Sequence, residues 1–181
     1  MLPAALTNFW GLECRLHEPA PLSDILLEIK RNSSGHKLLA GPGASGMDTL
    51  FQDYAVWREI RGFAQQWLLS ESLLSSHILN MWLEFDTEKP VSREDMTNFI
   101  ARPSVFLGFR SAGLTAGELR GLLEQSATLL RLSKETIESI VSFVGGIPSP
   151  GQLFQLGSML GRPTRDIRLC INRLGYDMIP G

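Results

Sequence analysis

The sequence predicts an α+β protein with a mainly antiparallel sheet, built from strand pairs, and about three principal helices packed on it. Short apolar runs occur in pairs joined by polar links of hairpin length. Longer stretches between the pairs repeat apolar residues every three or four positions, which is typical of amphipathic helices. Because strands joined by short links run antiparallel, the order β-β-α-β-β-α-α-β-β favours one sheet with helices between the strand pairs.

Length and composition bound the class of protein. The chain has 181 residues, 44% of them hydrophobic, and 17 basic against 19 acidic side chains give a net charge of −2. These values predict one soluble domain, 1–181, and exclude a disordered chain, a collagen-like repeat and a basic nucleic-acid packager. The start has no basic region before an apolar stretch, and no apolar run reaches the roughly 20 residues of a membrane span. We therefore expect a cytoplasmic protein.

The first half is predicted to hold one strand pair and one long helix. The strands run over Phe9–Leu16 and Asp24–Lys30, with prolines ending the first strand. Residues of about 32–47 are rich in glycine, serine and proline, so we expect a flexible loop there. Asp48 is predicted to cap the N-terminus of the helix. Its apolar stripe comprises Leu50, Tyr54, Trp57, Ile60, Ala64, Trp67 and Leu68.

The remaining elements follow from turn and capping signals. Thr115 and Glu118 have the spacing of a capping box, Ser133 is a second N-cap, and Gly145-Gly146 ends the helix after it. A helical turn is predicted over Arg93–Phe99. The second and third strand pairs are predicted over His77–Asp86 with Ser104–Arg110, and over Gln152–Leu160 with Asp166–Leu174.

The segment Trp82-Leu83-Glu84-Phe85-Asp86 holds the most distinctive candidate site. On a strand, Trp82, Glu84 and Asp86 share one face. Two carboxylates at this spacing can bind a hard metal ion or receive arginines. We expect these acids on the exposed face of a half-solvated sheet, or paired with Arg102 or Arg110, and count Trp82, Glu84 and Asp86 among the residues that contact a partner.

A second candidate is the triplet Glu28-Ile29-Lys30. A carboxylate two residues before a lysine is half of a metal-dependent nuclease site, which also needs an upstream carboxylate to share the metal. Glu13 on the preceding strand is a candidate, whereas Asp24 lies on the same strand and is expected to be too close. The commoner use of such a triplet is a charge pair on an edge strand.

The densest basic cluster lies near the C-terminal end of the sequence and comprises Arg162, Arg165, Arg168 and Arg173. It is a candidate surface for an acidic peptide, a phosphate or a nucleic acid, and Arg162, Arg165 and Arg168 are predicted partner-binding residues. Residues 1–101 carry 8 basic and 13 acidic groups, net −5, and residues 102–181 carry 9 and 6, net +3. This split favours docking of the two halves or self-association.

Cysteine and tryptophan usage gives two further expectations. Cys14 and Cys170 lie in apolar strand-like segments and are predicted to be two buried thiols in a reducing compartment. The four tryptophans are expected in the core or at an interface. The three histidines have no spacing typical of a zinc site.

The strings NMWLEFDTEKP and RPSVFLGF, with RDIRLCINRLG near the end, resemble uncharacterised bacterial proteins of unknown function. The resemblance covers residues 77–175 and brings no catalytic residues. It implies longer relatives, so this chain is expected to lack a C-terminal portion, and its last strand would need a partner such as a second copy of the chain.

The sequence therefore favours a non-enzymatic module that binds or assembles with another protein or peptide and forms a homodimer through a strand edge. No catalytic set, metal site or cofactor is predicted, and no membrane partner is expected. One alternative is a metal-dependent phosphodiesterase or nuclease-like enzyme that uses Glu13, Glu28 and Lys30, or Glu84 and Asp86. The other is an anion- or nucleic-acid-binding module, which the net charge disfavours for nucleic acid.

Overall fold

In the computed structural model, the described residues are 2–14, 23–42, 47–87, 92, 95–110, 114–160 and 166–173. Six strands form one antiparallel sheet in which each strand pairs with the next along the chain. The strands are β1 (Phe9–Cys14), β2 (Ser23–Lys30), β3 (Ile78–Phe85), β4 (Ser104–Phe109), β5 (Gln152–Ser158) and β6 (Ile167–Asn172). The predicted fold class is confirmed.

Seven α-helices and one short 3₁₀ turn, Ala4–Leu6, accompany this sheet among the described residues. The three longest helices, Ala55–Leu68, Ala116–Leu130 and Lys134–Gly145, are the principal helices that the sequence predicts. The helices are α1 (Ser34–Ala40), α2 (Asp48–Asp53), α3 (Ala55–Leu68), α4 (Leu73–His77), α5 (Met96–Ile100), α6 (Ala116–Leu130) and α7 (Lys134–Gly145).

The hydrophobic core lies between one face of the sheet and the helices. Ile29, Met81 and Leu107, from three neighbouring strands, are fully buried in it together with Trp57 and Leu122 from α3 and α6. The side chains of a strand alternate between its two faces. The residues between these apolar positions therefore point away from the helices.

The predicted loop over 32–47 is wrong for its first half, where α1 forms. The Ser33 hydroxyl accepts a hydrogen bond from the His36 N–H and caps the helix. His36, Leu39 and Ala40 are buried against the core. Residues 43–46 lie outside the described ranges.

The predicted long helix after Asp48 is divided into α2 and α3. Tyr54 has an extended backbone, with φ −120° and ψ 122°, and separates the two helices. The predicted cap is wrong as well, because Asp48 is the first residue of α2 and the preceding Met47 makes no side-chain cap. The capping box of Thr115 and Glu118 is confirmed.

The expectation of two buried thiols is wrong for Cys14, which is exposed, while Cys170 is half-buried and both are free. Cys14 lies near the end of β1, an edge of the sheet, where only β2 covers one side. Within the described ranges, no helix combines the length and the apolar character that a membrane crossing requires.

Candidate functional site

The face of the sheet opposite the helices carries most of the predicted site residues, and we call it the polar face. Residues that are direct cross-strand partners share a face. The pairs Glu28–Trp82, Trp82–Phe106, Phe106–Gly157 and Gly157–Arg168 therefore fix this face from β2 to β6. The polar face is defined by Asp24, Glu28, Asn80, Trp82, Glu84, Asp86, Ser104, Phe106 and Arg168.

Three carboxylates converge on the polar face, and we call Asp24, Glu84 and Asp86 the acidic cluster. One oxygen from each lies within 4.8 Å of the others. Asp24 and Glu84 are each only 2% exposed, and Asp86 is half-buried. Of the two expectations for the acids of β3, exposure is wrong for Glu84, whereas pairing with Arg102 or Arg110 stays a prediction.

Local hydrogen bonds hold one member of the acidic cluster in place. The Thr87 N–H donates to Asp24 Oδ1 over 2.8 Å, and the Thr87 hydroxyl donates to the Ser23 carbonyl oxygen over 2.8 Å. Each of the three carboxylates takes part in at least one further interaction, so none of them is without a partner. Like charges this close repel unless positive charge lies near them, and a divalent cation or basic side chains supply such charge.

Glu28 lies on the same face of β2 as Asp24 but has different partners. Its carboxylate accepts a hydrogen bond from Asn80 Nδ2 over 2.7 Å, and Lys30 Nζ lies 3.6 Å from its other oxygen. The charge pair predicted for the Glu-x-Lys triplet is confirmed, although β2 lies between β1 and β3 rather than at an edge. Among the described residues, neither Glu28 nor Glu13 belongs to the group of converging carboxylates.

The surroundings of Cys170 on β6 combine charges of both signs. Burial raises the pKa of the Cys170 thiol, Arg168 lowers it, and the carboxylates of Glu13 on β1 and Glu84 on β3 raise it further. Cys170 pairs with Gln155, which pairs with Gly108, so this thiol lies on the polar face.

Arg168 reaches across β5 to β4. Its guanidinium carbon lies 5.7 Å from the centre of the Phe106 ring, within the range of a cation–π interaction. Gly157 on the intervening strand permits this contact, because a Cβ at that position would overlap the Phe106 ring. Arg168 therefore packs on the Phe106 ring, and its predicted role in partner binding stays a prediction.

A second candidate surface lies at the β1 edge. Phe9, Trp10 and Leu12 are 54%, 65% and 58% exposed, and we call them the edge patch. β1 pairs only with β2 among the described strands, so the backbone groups on its outer side have no strand partner in that part of the chain. Phe9 contacts Trp82 edge-on across the polar face, with ring centres 6.1 Å apart.

The predicted partner-binding residues are thus separated by the structure. Glu84 and Asp86 meet in the acidic cluster, while Trp82 is half-buried beside Phe9. Arg162 and Arg165 lie outside the described residues, so the proposed anion-binding cluster stays a prediction.

A metal-dependent enzyme is expected to bring together two or more of the carboxylates Glu13, Asp24, Glu28, Glu84 and Asp86, and three of these converge here. The sequence did not specify which ones meet, and it did not predict the edge patch. Asp24 joins the cluster because β2 and β3 are adjacent, and the pairing of Ile25 with Phe85 is the register that brings it there. The edge patch had a local signal in the sequence, because large apolar side chains occur on both faces of β1, Trp10 and Leu12 on one and Phe9 on the other. A strand with apolar side chains on both faces is unusual at the edge of a sheet.

Comparisons with known proteins identify no relative of this chain. Scans of protein-family models, of curated proteins and of solved structures each return no match to the chain.

Proposed function

We propose that this protein is a non-enzymatic module that binds an extended segment of another protein along strand β1. The observation that carries the proposal is the edge patch, in which three large apolar side chains are more than half exposed on a strand paired on one side. An exposed apolar edge strand is a template on which another strand can add.

The chemistry of β1 specifies the kind of segment. Backbone hydrogen bonds would supply affinity, and Trp10 and Leu12, which share one face of the strand, would contact alternate apolar side chains of the added segment. Each exposed aromatic ring offers on the order of 100 Å² of apolar area, since buried aromatics cover roughly 150–250 Å². Glu13 is the single charged side chain of the strand, so a predominantly apolar segment fits best.

Selection of peptides from a displayed random library tests this proposal. We expect the wild-type protein to enrich extended peptides with alternating apolar residues and Leu12→Lys to bind them at least tenfold more weakly. Phe143→Lys, which changes an equally exposed residue on α7, is the matched control and should bind like wild type. Selected peptides that bind wild type and Leu12→Lys alike, or no enrichment at all, would contradict it.

A divalent-cation centre is the second candidate, and the convergence of the acidic cluster favours it. Carboxylate oxygens are the ligands that hard cations such as Mg²⁺ and Ca²⁺ prefer, and three of them come within 4.8 Å of one another here. The nuclease-like alternative has less support, because Lys30 pairs with Glu28 and its side chain is 60% exposed.

Titration calorimetry with Mg²⁺, Ca²⁺ and Mn²⁺ tests this second candidate. We expect saturable binding by the wild-type protein and a loss of at least tenfold in affinity for Asp24→Asn, which keeps the oxygen that accepts from Thr87. Glu124→Gln removes an exposed carboxylate on α6, away from the polar face, and should leave binding unchanged. No heat of binding in the wild type, or equal binding in Asp24→Asn, rejects the cation centre.

A further inference from the structure

We propose that two copies of this chain pair through their β1 strands, antiparallel and centred on Gly11, to form one continuous sheet. The proposal rests on the proposed function, because it uses the same edge patch and names a second copy as its occupant. A two-fold pairing permits few registers of β1 against its copy, and these registers differ in where Glu13 lies.

Symmetry restricts the register. A two-fold axis perpendicular to the sheet places the polar faces of both copies on the same side of the joined sheet. Residues directly opposite each other must share a face. Because neighbouring residues of a strand point to opposite faces, a residue cannot lie opposite its own sequence neighbour. The axis must therefore lie between a residue and the same residue of the partner. Trp10, Gly11 and Leu12 are the choices near the middle of the strand.

Charge and pairing length select Gly11. This register places Trp10 opposite the partner's Leu12 and separates Glu13 from the partner's Glu13 by four residues, or about 13 Å. Centring on Leu12 would make the two glutamates diagonal neighbours at about 7–8 Å, where like charges repel. Centring on Trp10 would pair only the three residues Phe9–Gly11 of each strand.

The surroundings of Gly11 agree with its place on the axis. A Cβ at this position would lie 3.3 Å from Cε1 of Phe9, so the Phe9 ring covers the glycine on the polar face. In the paired strands Gly11 would lie opposite the partner's Gly11, and the two Phe9 rings would cover this pair while each faces the partner's Glu13. Trp10 and Leu12 would meet their partners on the other face.

The other edge of the sheet is a poorer partner for β1. All six residues of β6 are half-buried, and Arg168 on that strand already contacts Phe106. Pairing of β1 with β6 of another copy would also leave a free edge at each end and grow without limit, whereas a two-fold pairing closes.

Sedimentation equilibrium of the full chain gives the first test. We expect a mass of about 40 kDa for the wild type, twice the 20.1 kDa of one chain, and dissociation at least tenfold more favourable for Leu12→Lys. Phe143→Lys should remain dimeric, and far-UV circular dichroism should be unchanged in both variants.

Disulfide trapping tests the register. In a Cys14→Ser background, Gly11→Cys places two thiols directly opposite each other, where Cβ atoms are about 4.5–5.5 Å apart and a disulfide needs little movement. Mild oxidation should therefore give a covalent dimer. Leu12→Cys in the same background offsets the two thiols by two residues and should cross-link at least tenfold more slowly.

The outcomes separate this inference from the proposed function. A wild type that is monomeric, or a dimer that Leu12→Lys leaves intact, overturns the self-pairing. If the displayed peptides nevertheless bind the wild type and not Leu12→Lys, the proposed function stands. Only the second copy of the chain, as the segment bound to β1, is then wrong. Faster trapping through Leu12→Cys than through Gly11→Cys overturns the Gly11 register.

Discussion

His36 is a fully buried imidazole whose two nitrogens have different partners. The N–H of Asn32 donates to Nδ1 over 3.1 Å, so that nitrogen carries no proton. Nε2 then carries the hydrogen and donates it to the carbonyl oxygen of Ala64, 2.9 Å away. The ring also lies against Trp67, with centres 4.1 Å apart. Protonation would cost the bond from Asn32.

Burial, assisted by the charge of Arg31, lowers the pKa of His36 below its ordinary value of 6.5, although the Ala64 carbonyl opposes this. Below about pH 6.5 the unfolded chain then binds more protons than the folded chain. We therefore expect the free energy of unfolding to fall as the pH is lowered from 7 towards 5. Urea unfolding at several pH values measures this dependence.

Substitution assigns that pH dependence to His36. His36→Gln keeps a donor and an acceptor but does not titrate, so its stability should change less between pH 6.5 and 5 than that of the wild type. His77→Gln is the control and should keep the wild-type slope. Parallel curves for the wild type and His36→Gln would show that this imidazole is not responsible.

The limits of prediction at the residue scale are visible in the acidic cluster. Strand alternation places Glu84 and Asp86 on one face, and this could be predicted from sequence. Asp24 lies more than 50 residues earlier, and its place beside them depends on the register between β2 and β3. Register depends on tertiary packing and turn geometry, which local patterns do not specify.

At the scale of elements, helix ends with a local capping signal could be predicted and those without one could not. Thr115 and Ser133 each accept a hydrogen bond from a backbone N–H three residues later, as their spacing indicates. Apolar periodicity continues across Tyr54, so it predicted one helix where two exist. A periodic pattern reports which face is buried and does not report a break in the backbone.

Side chains on the polar side of α3 bind the C-terminal ends of α1 and α2. Arg58 donates to the carbonyl oxygen of Gln52 at the end of α2, over 2.6 Å. Arg61 and Gln65 donate to the carbonyl oxygens of Gly41 and Ala40 at the end of α1, over 2.9 and 3.1 Å. In the sequence these polar residues lie off the apolar stripe of the predicted helix, and no local pattern indicates their partners. Here they satisfy the terminal carbonyls of two short helices, which are otherwise marginal on their own.

At the scale of the whole molecule, an ion pair between the described residues of the two parts of the chain reflects the charge asymmetry of the sequence. Arg131 follows α6 in the basic second part of the chain, and its guanidinium lies 2.7 Å from the carboxylate of Glu59 on α3, in the acidic first part. The pair is partly exposed, so it orients the two helices more than it stabilises them. The cohesion of the molecule comes instead from its shared apolar core.

Because one hydrophobic cluster joins the sheet to the helices, we expect the chain to unfold in a single transition. Leu107 on β4 and Leu122 on α6 are both fully buried in that cluster. Replacing either by alanine should lower the free energy of unfolding by about 2–5 kcal/mol. Urea unfolding followed by far-UV circular dichroism and by tryptophan fluorescence, at one protein concentration, should give the same loss with both probes.

Comparing the two unfolding probes distinguishes one cooperative unit from two. The buried tryptophans, Trp57 and Trp67, lie on α3, far along the chain from both leucines. If Leu122→Ala shifts the circular dichroism transition and leaves the fluorescence transition in place, the core consists of independent units. Leu79→Ala, at a site 45% exposed on β3, is the control and should change the free energy by less than about 0.5 kcal/mol. Equal shifts of both probes in both core variants require that sheet and helices unfold together.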